Sequence, residues 1–234
     1  QHKGNPYGIE VTDSATMLEA VKAYGFIPFF ENTVPGYSIE ELTPPGSWFT
    51  DEELGPWDWK VDVVQSGEIV YGKFLCGGKA SFATVEWYRE IMNLRRSRLS
   101  PDPEGQRIME YLSEHGSITI KEVRALLGVK KSAADAAIGR LQYQCRVVTG
   151  DITRVYRGPQ LTYNGWQVSS FCRPEDLFKG DAAFAAFPGF PFAAEADPLH
   201  TDHTPEESLA CLVDHLRAIL PEDTSTDEIR KVFR

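Results

Sequence analysis

The sequence predicts an α+β protein, and three observations support this. Residues 106–157 have the hydrophobic spacing of a helix, a short strand, two helices and a two-stranded ribbon. Strand and helix patterns also precede this stretch, and 42% of the 234 residues are hydrophobic, enough for a substantial core. The order of elements in 106–157 is typical of a winged helix-turn-helix module.

Three helices are predicted in this module. The first covers residues 103–115 and ends at Gly116, a residue type that favours the left-handed conformation after a helix. A β-branched strand at 117–119 leads into a second helix that ends before Gly128. Ser132 is the expected N-cap of the third helix. Its core-facing stripe comprises Ala134, Ala137, Ile138 and Leu141.

The ribbon is expected directly after the third helix. Apolar and polar residues alternate from Tyr143 to Val147, which favours a strand in which Gln144 is exposed. Thr149-Gly150-Asp151 has the composition of a turn, and the second strand is expected at Ile152–Tyr156.

Residues 1–98 are predicted to form an α+β domain before the module. Prolines and aromatic residues from Phe26 to Trp59 favour irregular loops, in which the rings pack into a core rather than stack on bases. The regular elements expected here are a helix at 14–24, an antiparallel hairpin of 68–75 and 79–84 around Cys76-Gly77-Gly78, and a helix from Val85 to Leu94.

The winged-helix domain is expected at 103–180, and residues 181–234 are predicted to form an extended arm followed by C-terminal helices. The arm covers 181–196, where Ala, Phe and Pro alternate. A helix is expected to start near Thr204. Its apolar face either packs on the body or forms a homodimer, and comprises Leu209, Leu212, Val213, Leu216 and Leu220.

Charge is segregated along the chain, whose formal net charge is -10. Residues 89–157 carry 13 Lys and Arg against 8 Asp and Glu, whereas both flanks are acidic. DNA is therefore the expected partner, although basic helix faces in acidic proteins are often only solvated. The candidate nucleic-acid-binding residues are Arg95, Arg96, Arg98, Lys130, Lys131, Arg140, Arg146, Arg154 and Arg157.

The third helix has few residues suited to reading bases. Small and mixed-charge side chains predominate on it, whereas sequence-specific readout generally uses Arg, Asn or Gln. We therefore expect backbone-dominated binding rather than operator recognition. A transcriptional regulator and a protein-interaction module are the alternatives, since winged helices serve both roles.

Several other functional classes lack a supporting pattern. The sequence shows no run of apolar residues long enough for a membrane span and no secretory signal, so a cytoplasmic location without a membrane partner is expected. The cysteines lack zinc-site spacing, and His200 and His203 are expected in a solvated loop. No phosphate-binding glycine loop occurs. The sequence thus predicts no metal site and no cofactor.

Four short segments carry a resemblance to a known family. These segments are Gln142-Tyr143-Gln144, residues 55–60 (GPWDWK), 70–74 (VYGKF) and 173–178 (RPEDLF). Over roughly residues 12–180 the chain resembles AlkZ-related proteins, which are similar to the AlkZ/YcaQ winged-helix DNA glycosylases. The resemblance implies winged-helix units that bind DNA, and hydrolysis of an alkylated or crosslinked nucleoside supported by a Gln-apolar-Gln or Gln-apolar-Asp motif.

The resemblance implies that Gln142 and Gln144 are catalytic, with Tyr143 at the apolar position. Two amides on one face of a strand can orient a water molecule and bind a departing base. The motif lies after the third helix here, whereas the family places it in an early winged-helix unit. The alternative is that Gln142 caps the helix and Gln144 is an exposed strand residue.

Overall fold

The computed structural model describes residues 5–48, 54–178 and 197–234. Helices and short antiparallel sheets follow each other along the chain, and the arm expected at 181–196 lies outside the described residues. The elements are α1 (Ser14–Tyr24), β1 (Phe26–Pro28), α2 (Ile39–Leu42), a 3-10 turn (Pro45–Ser47), α3 (Pro56–Gln65), β2 (Ile69–Leu75), β3 (Lys79–Thr84), α4 (Val85–Arg96), α5 (Pro103–His115), β4 (Ile118–Thr119), α6 (Ile120–Leu127), α7 (Lys131–Tyr143), β5 (Val148–Arg157), β6 (Thr162–Cys172), α8 (Pro174–Leu177), α9 (Pro205–Ile219) and α10 (Thr226–Lys231).

The first sheet has the order β1-β3-β2, and both pairings are antiparallel. The predicted hairpin of β2 and β3 is confirmed, with Gly77 and Gly78 at positive φ in its turn. Parts of the passage that was expected to form loops are regular instead, since it contains β1, α2, the 3-10 turn and the start of α3. Pro28 ends the edge strand β1, where a missing N–H is tolerated, and Pro56 begins α3, where no helical N–H is required.

The second sheet has the strand order β4-β6-β5. The helices α5, α6 and α7 occur in the predicted order along the chain. The expected N-cap Ser132 is wrong, because α7 already begins at Lys131 with Lys130 as its cap residue. The expected strand at 143–147 is also wrong. Helix α7 continues to Tyr143, and Cys145 then takes a φ of 58° as the chain leaves the helix.

The hairpin therefore lies later in the chain than predicted. A register shift between Thr149 and Asp151 makes the expected turn an irregularity within β5. The chain reverses between β5 and β6, where Gly158 and Leu161 have positive φ. The physical reason for the shift is that Gly150 fits beside the Cys172 side chain within the sheet, so glycine here serves close packing rather than a turn.

Two main hydrophobic clusters form the interior. One surrounds the first sheet and includes Phe26, Phe74 and Phe82. The other joins α5, α6 and α7 to the second sheet and includes Ile108 and Leu141. A smaller cluster comprising Val61, Val64 and Ile152 links α3 to β5.

Helix α9 belongs to the first of these clusters. Leu212 and Leu216 are fully buried there, and Leu220 is 6% exposed. The predicted apolar face thus packs on the body of the same chain. This packing matches the first of the two alternatives, and a homodimer through α9 stays a prediction.

Candidate functional site

A cleft of about 800 Å³ lies between α3 and β2 on one side and α6, α7 and β6 on the other. The elements on its two sides belong to the parts of the chain that contain the two main hydrophobic clusters. Its lining comprises Trp57, Lys60, Tyr71, Lys73, Thr119, Ile120, Lys121, Arg124, Lys131, Asp135, Ile138, Gln142, Thr149, Gln167, Val168, Ser169 and Phe171.

Gln142 connects the two walls of the cleft. The Lys73 backbone N–H donates a hydrogen bond to Gln142 Oε1 over 3.1 Å, and the Gln142 residue is only 4% exposed. The approach of α7 to β2 depends on Gly72, because a Cβ there would lie 3.3 Å from Gln142 Oε1. This contact fixes Gln142 at the junction of the walls.

Helix α3 is attached to the β5-β6 hairpin by charged and amide groups. Arg154 Nε donates to Asp58 Oδ1 over 2.8 Å, and Arg154 Nη2 donates to Asp62 Oδ1 over 3.2 Å. Gln167 Nε2 donates to the Trp57 carbonyl over 3.1 Å. Gln167 Oε1 is buried and has no hydrogen-bond partner among the described residues. The cleft thus contains a second amide besides Gln142, with an acceptor left free.

The cleft is cationic although the whole protein is acidic. Its only acidic lining residue among those described, Asp135, forms a salt bridge of 3.1 Å with Lys131. Basic residues therefore outnumber acidic ones in a concave site, where a positive potential is concentrated. The basic residues are Lys60, Lys73, Lys121, Arg124 and Lys131.

Lys60 differs from the other cleft lysines because it is buried. The residue is 3% exposed, and its Nζ lies 2.8 Å from the centroid of the Trp57 ring. Burial lowers the pKa of Lys60 to about 7, and the nearby Asp58 carboxylate only partly opposes this effect. A substantial fraction of the amine is consequently neutral near pH 7.

The structure separates the two glutamines of the Gln-Tyr-Gln segment. Gln142 lies in the last turn of α7 and lines the cleft, whereas Gln144 is the C-cap residue of the helix and does not line it. The expectation of two amides on one strand face is wrong, because this segment is helical and then capped. Tyr143 instead packs its ring on Arg95, whose guanidinium carbon lies 4.1 Å from the ring centroid.

Several arginines expected to contact DNA hold the fold together. Arg95 is 3% exposed and donates to the carbonyls of Tyr143 and Phe233, so it has no face for phosphate. Arg96 donates to the Cys145 carbonyl and to Glu175. Arg146 donates to the Leu99 carbonyl over 3.2 Å, and Arg154 bridges the hairpin to α3 as described above.

The other expected DNA contacts have different positions. Lys131 lines the cleft, and Lys130 is exposed one residue before α7. Arg98 and Arg140 are both exposed, and Arg140 forms a 3.1 Å salt bridge with Asp102. Arg157 is exposed near the end of β5, with its guanidinium carbon 4.9 Å from the ring centroid of Trp166.

Four basic residues and one amide of the cleft were not predicted as site residues. Lys60 and Lys73 lie in an acidic part of the chain, where the charge composition does not indicate a cationic site. A sequence signal for Lys60 is that it lies three residues after Trp57, which places both on one side of a helix. Lys121 and Arg124 lie in the basic stretch, and the same spacing places them on one face of α6. The remaining one is Gln167.

The described residues offer no metal site and no membrane-spanning helix. In the part of the chain that the structure describes, no cluster of three His, Cys, Asp or Glu side chains is arranged to hold a metal ion. His203 instead lies 3.0 Å from Glu90, and His200 lies 2.9 Å from Asp202. None of the helices in the described ranges combines the length and apolar character required to cross a bilayer.

Comparison with known proteins gives a match to one family. No curated protein and no solved structure matches the chain. The model of the AlkZ-related family matches residues 11–234, which include every described element and all residues of the cleft. The chain belongs to the AlkZ-related family.

Proposed function

We propose that this protein binds DNA and that the DNA backbone enters the cationic cleft. The observation that carries the proposal is the concentration of Lys73, Lys121, Arg124 and Lys131 around one concave site in a protein with a net charge of -10. Phosphate groups neutralise such cations and release counterions, which makes association favourable. The acidic remainder of the surface would repel DNA and direct it to this site.

A winged-helix module is the proposed DNA-binding unit. The order α5-β4-α6-α7-β5-β6 and the sheet order β4-β6-β5 support this assignment. Residues 103–180 are its proposed extent, with a separate domain at 1–98. Helix α7 begins with Lys131 at the cleft, which would place its N-terminal turn against a phosphate rather than against base edges.

Membership of the AlkZ-related family favours a role connected with DNA repair. Hydrolysis of the N-glycosidic bond of an alkylated or crosslinked base is the proposed reaction, because Gln142 and Gln167 both line the cleft. The amide of Gln142, which the Lys73 backbone N–H anchors, would bind the departing base. Gln144 has no part in this arrangement.

Binding of duplex DNA across a salt series tests the proposal. We expect the logarithm of the association constant to fall linearly with the logarithm of the salt concentration. Arg124→Ala should lower the magnitude of this slope by about 1. Arg98→Ala is the matched control, since Arg98 is an exposed arginine that does not line the cleft. Loss of slope in the control alone would contradict binding in the cleft, and absence of DNA binding would favour a protein-interaction module.

Base release from alkylated or crosslinked duplexes tests the reaction. The native protein is expected to release base, and Gln142→Ala is expected to abolish release while DNA affinity stays within a factor of about 3. Gln144→Ala should release base at the native rate because it lies outside the cleft. A native protein that binds DNA, releases no base and enriches a consensus from random duplexes would instead be a regulator.

A further inference from the structure

We infer that Lys60 is a nucleophilic amine that captures a sugar aldehyde, such as that of an abasic site in DNA, as a covalent imine in the cleft. This inference rests on the proposed function, because the cationic cleft must first bind the phosphates on either side of that sugar. It concerns a different residue and a different bond from the hydrolysis proposed for Gln142.

The position of Lys60 is unusual for a structural lysine. Its Nζ lies against the Trp57 ring, and none of the salt bridges or hydrogen bonds of the described residues uses this amine. A buried ammonium normally requires a carboxylate partner, because desolvation is costly. The fold therefore contains an amine at a cleft wall that no structural contact with a carboxylate explains.

The electrostatic surroundings keep this amine reactive. Desolvation lowers the pKa of Lys60 to about 7, with Asp58 on the same helix opposing the shift. The charged and titratable groups on the other walls of the cleft are mostly cations. These surrounding groups are Tyr71 and Lys73 of β2, Lys121 and Arg124 of α6, and the paired Lys131 and Asp135 of α7.

The chemistry requires no additional reagent. The lone pair of neutral Nζ attacks the aldehyde carbon, and the carbonyl π electrons move to the oxygen, which takes up a proton to form a carbinolamine. The carbinolamine then loses one water molecule, which leaves a carbon–nitrogen double bond. Hydrolysis reverses the sequence and restores both the amine and the aldehyde. The bound phosphates would hold the sugar near Lys60, which makes the addition effectively intramolecular.

Reductive trapping tests the inference. The full chain is incubated with a duplex containing one abasic site in the presence of borohydride, which reduces an imine to a stable amine. We expect a protein–DNA adduct that peptide mass analysis locates on Lys60. A duplex with a tetrahydrofuran abasic analogue has no aldehyde, so it should bind with similar affinity and give no adduct.

Two variants make the test specific. Lys60→Met should reduce adduct formation at pH 7 to roughly 1% of the native yield, since an ordinary lysine is deprotonated there to less than about 0.1%. Lys22→Met removes an exposed amine that lies outside the cleft and should retain the native adduct yield.

The pH profile separates Lys60 from the other lysines. The rate of adduct formation by the native protein should rise to a plateau just above pH 7, rather than increase up to pH 10. DNA binding without an adduct, or an adduct on another amine, would overturn the inference and leave the proposed function standing. Failure to bind either duplex would overturn the proposed function itself.

Discussion

Replacement of Lys60 by Met is expected to stabilise the protein. The residue is 3% exposed, and its pKa of about 7 lies well below the ordinary lysine value of about 10.4. Each tenfold change in proton affinity corresponds to about 1.4 kcal/mol, so retaining this amine in the interior costs about 4 to 5 kcal/mol at low pH. Methionine keeps an unbranched apolar stem without a charge, but it loses the contact of the amine with the Trp57 ring.

The net gain follows from these opposing effects. The cation–π contact offsets about 1 to 2 kcal/mol of the cost, so Lys60→Met should raise the free energy of unfolding by about 2 to 4 kcal/mol at pH 7. Between pH 7 and about 10.4 the unfolded chain holds a proton on Lys60 that the folded protein lacks. The native protein therefore gains stability as the pH rises through this window, and the difference from the variant narrows.

Urea unfolding at pH 6, 7, 8.5 and 10 measures this difference. The gain should be nearly constant below pH 7 and should shrink toward zero near pH 10, because the titration of all other groups cancels between the two proteins. Lys73→Met is the control and should change stability by less than about 0.5 kcal/mol at every pH. A Lys60→Met variant that is less stable than the native protein at pH 7, or equally stabilised at pH 7 and pH 10, would refute the argument.

Three further perturbations have expected outcomes. Arg95→Leu removes the hydrogen-bond donors of two main-chain carbonyls, so it should lower the free energy of unfolding in urea by about 3 kcal/mol. Arg98→Ala is the control and should lower it by less than about 0.5 kcal/mol. Equal effects of the two substitutions would contradict the structural role of Arg95. Burial alone would raise the pKa of Glu90, but its hydrogen bonds hold it below the ordinary value. The Glu90 carboxylate thus stabilises the fold above about pH 4.3, and this stabilisation is lost as the pH falls. The unfolding temperature of Glu90→Gln should therefore differ most from that of the native protein near neutral pH. A difference that grows in acid would be evidence against this role of Glu90. Gly72→Ala places a Cβ 3.3 Å from Gln142 Oε1 and should lower stability by about 1 kcal/mol in a calorimeter, an expectation that an unchanged unfolding temperature would exclude.

The helices were predictable from sequence because their signals are local. The apolar stripe of α7 and the glycine after α5 depend only on nearby residues, and both were assigned correctly. The hairpin was misplaced because Thr149-Gly150-Asp151 has the composition of a turn. Gly150 instead leaves room for the Cys172 side chain on the neighbouring strand, and these two residues are distant in sequence.

The cleft was less predictable for the same physical reason. Lys131 and Gln142 were identified from the basic stretch and from the family resemblance. Lys60 and Gln167 come from elements on opposite sides of that stretch, and only the packing of α3 on the hairpin brings them to one site. Burial also determined the role of Arg95, and an arginine-rich run in the sequence does not show which side chains point inward.

Protection of lysines from acylation by bound DNA tests the central claim most directly. The native protein is treated with an amine-reactive acylating reagent with and without duplex DNA, and each lysine is quantified by mass spectrometry. Binding in the cleft predicts strong protection of Lys73, Lys121 and Lys131, with Lys22 and Lys231 modified equally in both samples. Protection of Lys22 or Lys231 without protection of the three cleft lysines would contradict the account.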